Sequence, residues 1–396
     1  MAGWPLALPL TLFAGSLVWA IGVAWLLRRA VRQFRLYTTV APRRDLDLAL
    51  APTIAVIVPA RDEAATIGRC LAALIGQDYP AERLAICVVD DNSRDATARI
   101  VAAIATGAAN VTLLAGRRLP PGWAGKPYAC WQGALDARAE LLCFVDADTC
   151  AEPGLLRSAV AAARQYRADM ISLEPFQELV GFWDRLIIPV GLFAIACTGD
   201  ITRAADPDCR EAQVNGQFLL VRRSVYFAVG GHAAVRGEIC EDSALARRLK
   251  QAGFSLRLFG GERLIRTRMY ADLPSLWQGL VKNAADTFGG PVRTTAAVLG
   301  CLAVGWATPA LPILAAVAFH ARPGSVDLAA LVLAACASLT VLAAELAAMR
   351  YFRIPWWYAI LFPLASTAAA SLGLASVLAH ARGCVVWKGR IYAVPR

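Results

Sequence analysis

Leu141-Leu142-Cys143-Phe144-Val145-Asp146-Ala147-Asp148-Thr149 is an apolar run that ends on two carboxylates flanking one alanine. The run reads as a buried strand, and open α/β sheets take their ligands outside the carboxyl ends of the strands. Acids at i and i+2 of an extended chain point to the same side. Two such carboxylates suit a cation that keeps several waters and is completed by substrate phosphates, the usual magnesium or manganese arrangement. The stretch therefore predicts a cation-assisted grip on a diphosphate.

Upstream, strands alternate with helices. Thr53-Ile54-Ala55-Val56-Ile57-Val58 is a strand closed by Pro59, with Ala60-Arg61-Asp62-Glu63 as the turn and a helix over 64–75. Leu84-Ala85-Ile86-Cys87-Val88-Val89 is the second strand, ending on Asp90-Asp91-Asn92-Ser93, with a helix over 95–105. Val111-Thr112-Leu113-Leu114 is the third, and Lys126 leads a helix through 129–138. This order predicts a mainly parallel sheet covered on both faces. Each acid has a structural reading: Glu63 and Asp95 as caps, Asp90 and Asp91 as turn residues, Asp148 or Thr149 as the cap of a helix near Glu152. Their convergence on one sheet edge favours a shared crevice, because so many acids repel unless a ligand or cation offsets them. A fourth cluster, Gly237-Glu238-Ile239-Cys240-Glu241-Asp242-Ser243, precedes a helix over 244–251. Asp242 or Ser243 can cap that helix. The functional alternative makes Asp242 a general base, kept ionised by the helix N-terminus.

Of the 396 residues 58% are hydrophobic, above the roughly 45–50% of ordinary soluble domains. The excess sits at the two ends. Residues 5–27 carry no charge; at about 1.5 Å per residue they reach across a hydrocarbon core of about 30 Å. Arg28, Arg29, Arg32, Arg35, Arg43 and Arg44 follow, which places that flank in the cytoplasm. A cleaved signal peptide is disfavoured, since no basic residue precedes the apolar stretch. Further apolar segments run over 295–320, 328–349 and 356–380. Pro309 and Pro312 predict a kink in the first, and Trp356-Trp357-Tyr358 forms an interfacial belt. Three crossings after a cytoplasmic domain would leave the C-terminus outside, yet Arg382, Lys388, Arg390 and Arg396 argue for inside. Either one segment is re-entrant or the count is wrong. The apolar stretch 182–197 reads as an interfacial helix or a core helix.

The net charge is +10. Nucleic acid is disfavoured as a partner, because no stacking-aromatic module or recognition helix is evident; anionic lipid explains the charge more simply. Eleven cysteines without a C-x-x-C pair read as reduced thiols, and three histidines are too few for a zinc site. Glu345 is the main charge inside an apolar segment, fewer than a transport pathway needs. No glycine-rich phosphate loop opens the first strand, which disfavours a nucleotidyltransferase.

Val58-Pro59-Ala60-Arg61-Asp62-Glu63, Val89-Asp90-Asp91-Asn92-Ser93, Gly125-Lys126, Val145-Asp146-Ala147-Asp148 and Glu241-Asp242, in this order and spacing, resemble family 2 glycosyltransferases. The likeness covers about residues 51–290, and the apolar flanks resemble the membrane-bound branch. Val386-Trp387-Lys388-Gly389-Arg390-Ile391-Tyr392 and Trp277-Gln278-Gly279-Leu280-Val281-Lys282-Asn283 resemble the hopanoid-associated and carotenoid glycosyltransferases, which modify polyisoprenoid-type lipids. The resemblance implies an α/β, Rossmann-like GT-A domain at 51–290 in the cytoplasm. An N-terminal transmembrane anchor would occupy 1–28, about three transmembrane segments 295–380, and a basic tail 381–396. It implies inverting, metal-dependent transfer, with Mg2+ or Mn2+, from a nucleotide-diphosphate sugar, a UDP-sugar first. The acceptor would be a membrane lipid (polyisoprenoid, hopanoid, carotenoid or another glycolipid precursor) at a bacterial inner membrane.

Carried over by residue, Pro59, Ala60 and Glu63 would border the nucleoside, Asp91 would meet the base, and Lys126 would lie near base or phosphate. Asp146 would touch the ribose or the metal's water shell, Asp148 would ligate the metal, and Asp242, with Glu241 beside it, would be the base. Processive members carry Gln-x-x-Arg-Trp. Here Gln278 is followed by Gly279-Leu280-Val281-Lys282, which implies a single transfer. Gln278 and Lys282 are the acceptor or diphosphate contacts, Lys282 as a point charge where the family has a fork. The alternative is a membrane-embedded lipid-binding or transport scaffold with an inactive nucleotide-sugar domain.

Overall fold

The computed structural model describes residues 7–43, 46–199 and 212–393; Pro5, Arg44 and Arg396 of the readings above lie outside these. Seven strands make the main sheet, in the order β3-β2-β1-β4-β8-β6-β9. They are β1 (Ile54–Ala60), β2 (Leu84–Asp90), β3 (Val111–Ala115), β4 (Leu141–Val145), β6 (Met170–Glu174), β8 (Phe218–Arg222) and β9 (Leu256–Gly260). β1 pairs parallel with β2 and β4, and β2 with β3; only β8 runs against its neighbours. A small sheet of β5 (Thr149–Ala151), β7 (Phe176–Gln177) and β10 (Ile265–Thr267) lies beside it.

β1 is the centre because its alternate residues feed both faces. Ile54, Val56 and Val58 join a core with Leu71 and Leu74 of α2 (Ile67–Ile75), Val101 of α3 (Thr97–Ala105) and Leu155 of α5 (Leu155–Gln165). Ala55 and Ile57 join the opposite core with Ala129 and Ala134 of α4 (Gly125–Asp136) and Leu245 and Leu249 of a helix over Glu241–Gln251. Each fully buried aliphatic side chain contributes about 1.5–3 kcal/mol. The β1–β4 ladder stops at Ile57, two residues before Pro59, so the proline removes no rung from it.

Among the described residues, four segments are long and apolar enough to cross a membrane. α1 (Ala7–Leu36) runs past residue 28, where the anchor was expected to end. α6 (Phe182–Thr198) is one helix, joined by its last carbonyls to Arg29 of α1 (Nη2 to Thr198 O, 3.1 Å). Of the remaining helices, α7 is Arg223–Ala228, α8 Glu241–Gln251, α9 Leu273–Thr287, α10 Pro291–Ala321, α11 Ser325–Tyr351 and α12 Phe362–Ala381. α10 stays helical through Pro309 and Pro312. α11 returns to the α/β domain, where Tyr351 and Arg353 meet the Phe176 ring. The last apolar segment is a 3-10 turn (Trp356–Leu361) followed by α12. It begins with Tyr358 against Phe182 and ends with His380 3.5 Å from Asp286 of α9. Its two ends therefore lie against α6 and α9, helices that follow strands of the α/β domain. The chain closes with a hairpin, β11 (Cys384–Trp387) and β12 (Arg390–Ala393), laid on that same domain.

Candidate active site

The turns after β1 and β2 are stitched to each other. Asp62 N–H donates to Ser93 Oγ (3.0 Å), Glu63 N–H to Thr97 Oγ1 (2.8 Å), Ala64 N–H to Asp95 Oδ2 (2.9 Å) and Arg94 N–H to Asp62 Oδ1 (2.7 Å). Ser93 and Asp95 thus fix loops; Asp95 precedes the Ala96 N-cap of α3 instead of capping it. Ala60 packs in the core and gives its carbonyl to Asp91 N–H (2.7 Å). Glu63 accepts from Thr66 Oγ1 (2.9 Å) and pairs with Lys388.

Asp146 and Asp148 do not sit on extended chain as expected. β4 ends at Val145, and a turn follows, closed by Thr149 N–H (3.2 Å) and Oγ1 (2.8 Å) on Asp146 O. Thr149 thus begins β5 and caps no helix. The two acids part company: Lys126 Nζ lies 2.7 Å from Asp146 Oδ1 and 3.1 Å from Glu241 Oε1, joining the end of β4 to the start of α8. Burial opposes the Lys126 charge, but Asp146 and Glu241 together hold it well above the ordinary lysine range.

Asp148 Oδ1 is buried without a hydrogen-bond partner. Burial first, then repulsion from Asp146 and Glu63, raises its carboxyl to about 7. A buried carboxylate oxygen with a free lone pair fits a divalent cation. Among the described residues no group of three or more His, Cys, Asp or Glu could hold an ion alone, so phosphate oxygens and water would complete its shell.

Asp242 stands in the first turn of α8, whose N-cap is Cys240, so neither Asp242 nor Ser243 is the cap. Its Oδ1 accepts Ser243 N–H at 2.7 Å. Burial, then the Glu241 charge, raises its carboxyl to about 6, against the opposing pull of Lys126 and the Ser243 N–H. Desolvation thus works against the ionisation expected from the helix end, and the result is a carboxyl poised just below neutrality. Glu241 is spent on Lys126, which leaves Asp242 as the available carboxylate.

Lys282 of α9 reaches this region, its ammonium 4.7 Å from the centre of the Trp387 ring, while Gln278 is exposed. Lys388 Nζ donates to Arg61 O (2.7 Å) and pairs with Glu63. Arg390 grips Asp91 with both terminal nitrogens (Nη2 to Oδ1, 3.0 Å). A Cβ at Gly125 would fall 2.5 Å from Asp91 Oδ2, so glycine leaves room for that pair. Asp91 is therefore occupied by the tail. Sequence reasoning read Lys388 and Arg390 as topology signals and as part of a family-like tail stretch, and gave them no role in the site. The signal that could have found them is Trp-Lys-Gly-Arg between two alternating segments, which marks a two-residue hairpin.

The sequence and the fold have counterparts in known proteins. Residues 55–185 match the family model "Glycosyl transferase family 2". The 4,4'-diaponeurosporenoate glycosyltransferase of Staphylococcus aureus strain USA300 is 27% identical over 254 residues, 62% of this chain and 65% of that protein. The one from strain MRSA252 is 26% identical over 243 residues, 60% and 62%. The matched region thus spans a little under two thirds of those relatives. A mannosyltransferase from Pyrobaculum calidifontis, solved with GDP-Man and Mn2+, superposes with a TM-score of 0.54 at 19% identity, over 95% of this chain and 98% of that one. The family match ends before Asp242, Lys282 and the hairpin. Residues 55–185 are thus similar to the glycosyl transferase family 2 domain, within a mostly parallel α/β fold like that of the Pyrobaculum protein and flanked by long apolar helices.

Proposed function

We propose that the protein moves one sugar from a nucleotide-diphosphate donor to a lipid hydroxyl at the membrane surface, with inversion. The observation that carries the reading is the Lys126 bridge, which ties the Asp146 end of β4 to the Glu241-Asp242 start of α8. Lys126 and Asp146 act on both the candidate base Asp242 and the orphaned Asp148 carboxylate, which supports reading the two as one site. Asp242 takes the acceptor's hydroxyl proton as that oxygen attacks the anomeric carbon. The new C–O bond forms opposite the breaking bond to phosphate, whose electron pair leaves on the diphosphate. General-base help of this kind contributes about 10²–10⁴-fold in rate. When bound, a magnesium or manganese ion held by Asp148, with Asp146 at its water shell, supplies neutralisation of the diphosphate charge. Lys126 holds Asp146 and Glu241 in register while the ligand binds. The Pyrobaculum structure holds a GDP-sugar, so GDP-sugars join UDP-sugars as donors to test.

A lipid acceptor is supported by α9, which carries Lys282 and packs on α12 through Ala285 N–H to Ser376 Oγ (3.0 Å). The staphylococcal relatives are named for a carotenoid acid. The missing Arg-Trp and the exposure of Gln278 support a single transfer. We place the domain in the cytoplasm of a bacterial inner membrane, following the arginines after α1. The tail on the same domain then returns its basic residues to that side. α10 and α11 cross as a pair, and residues 356–381 re-enter without crossing.

The test is a panel of radiolabelled UDP- and GDP-sugars incubated with membranes bearing the protein, with and without EDTA, then extracted into organic solvent. One donor is expected to label the lipid phase, and EDTA to suppress it. Donor binding without transfer to any lipid would instead favour the inactive scaffold.

A further inference from the structure

The tail motif Trp387-Lys388-Gly389-Arg390 has so far only been placed. Trp387 pairs with Arg390, so Lys388 and Gly389 are the two turn residues, with φ of 43° and 72°. Positive φ at both positions suits the twist of a tight hairpin, and glycine, asparagine or aspartate usually supply it. A lysine in that conformation is uncommon, and such outliers concentrate at functional sites.

The turn aims its charge. An ammonium has three donors; Lys388 places one on Arg61 O and one on Glu63. The Trp387 ring has two cations near it, Lys282 Nζ at 4.7 Å from its centre and Lys388 Nζ at 5.9 Å. The Arg390 fork on Asp91 clasps the hairpin to the end of β2 across 299 residues of sequence. Two lysines from separate segments are thus held near one aromatic ring, Lys388 of them paired with Glu63 in the turn after β1. Cations beside a departing diphosphate offset the charge that develops there.

We propose that the C-terminal hairpin is part of the donor site: Lys388, with Lys282 near the same Trp387 ring, binds the donor's diphosphate. Arg390 is a positioning residue that keeps the hairpin seated through Asp91. The inference rests on the glycosyl-transfer reading. It means that the donor site includes a strand pair lying some two hundred residues beyond the end of the family match at 185. Glu63 then exchanges a direct lysine contact for one shared with the ligand.

The test uses the full-length protein in detergent with Mg2+, titrated calorimetrically with UDP, GDP, UMP and GMP. Lys388→Gln keeps the chain length and a donor for Arg61 O, and removes the charge. It is expected to weaken the bound nucleoside diphosphate about tenfold or more, and the matching monophosphate much less. Lys388→Arg should stay near wild type, and hydrogen exchange over 384–393 should stay protected in both variants. Unchanged diphosphate affinity in Lys388→Gln would overturn the proposal. So would equal losses for mono- and diphosphate with exchange showing the hairpin released, since that describes a structural strap. A wild-type protein that binds neither UDP nor GDP would remove the donor reading itself, and this inference with it.

Discussion

Asp242 lies against Gly216. A Cβ added to Gly216 would stand 2.7 Å from Asp242 Oδ2 and 3.0 Å from its Cγ, closer than real side chains approach. The glycine before β8 therefore sets where the base can rest. Gly216→Ala should push the carboxylate aside and lower turnover about 10–100-fold, since a displacement near 1 Å can cost about 10²-fold. Donor affinity and the thermal midpoint should change little. Steady-state kinetics beside a melting curve checks this, and full activity would show that the carboxylate has freedom the structure denies it.

Acid should switch the reaction off. With the Asp242 carboxyl near 6, the group is mostly ionised at pH 7 and gains its proton as pH falls below that value. A base works only when deprotonated, so turnover should rise with pH through about 6 and level above it. Below the bend it should fall about tenfold per unit. Glu241, Lys126, Asp146 and the Ser243 N–H all act on this carboxyl, so Lys126→Met should shift the bend upward by removing the opposing charge. A flat profile of turnover down to pH 5, with donor saturating, would contradict the assignment.

The ion should act through Asp148. Asp148→Ala removes the buried, unpartnered oxygen and should abolish the difference that Mg2+ or Mn2+ makes to nucleotide affinity. Metal-free affinity should stay close to wild type. Calorimetry with and without EDTA reads both, and metal-dependent affinity that persists in the variant would place the ion elsewhere.

The strand ends were legible because hydrophobic runs closing on acids recur at Ala60–Glu63, Asp90–Asp91 and Asp146–Asp148, and a parallel sheet brings such ends together. The pairing Ala60 with Asp90 bears this out. What the sequence did not disclose depends on a turn or on distance along the chain. Thr149 folds the two acids into a turn through Asp146 O, so alternation along extended chain did not apply. Arg390 meets Asp91 across 299 residues; local pattern carries no information on such a contact. Asp242 could be read as a cap or a base from sequence, and the Cys240 N-cap removes the first of these readings. The last apolar segment has the length and hydropathy of a span. Its two ends against Phe182 and Asp286 are tertiary facts.

Those ends make a topology prediction. A single reporter cysteine at Arg322, in the link between α10 and α11, should label from the side opposite the family 2 domain. Cys384, which is exposed at the start of the hairpin, should label from the domain's own side. A membrane-impermeant maleimide on sealed vesicles of known orientation reads both. Labelling of both sites from one side, or of Cys384 from the far side, would break the paired-crossing arrangement.

The central claim is that Asp242 deprotonates the acceptor while the donor is held independently of it. Its most direct test is Asp242→Asn in single-turnover transfer, with donor affinity measured on the same preparation. The account predicts turnover lower by about 10²–10⁴-fold with nucleotide-sugar affinity within a few-fold of wild type. Wild-type turnover in that variant would contradict it.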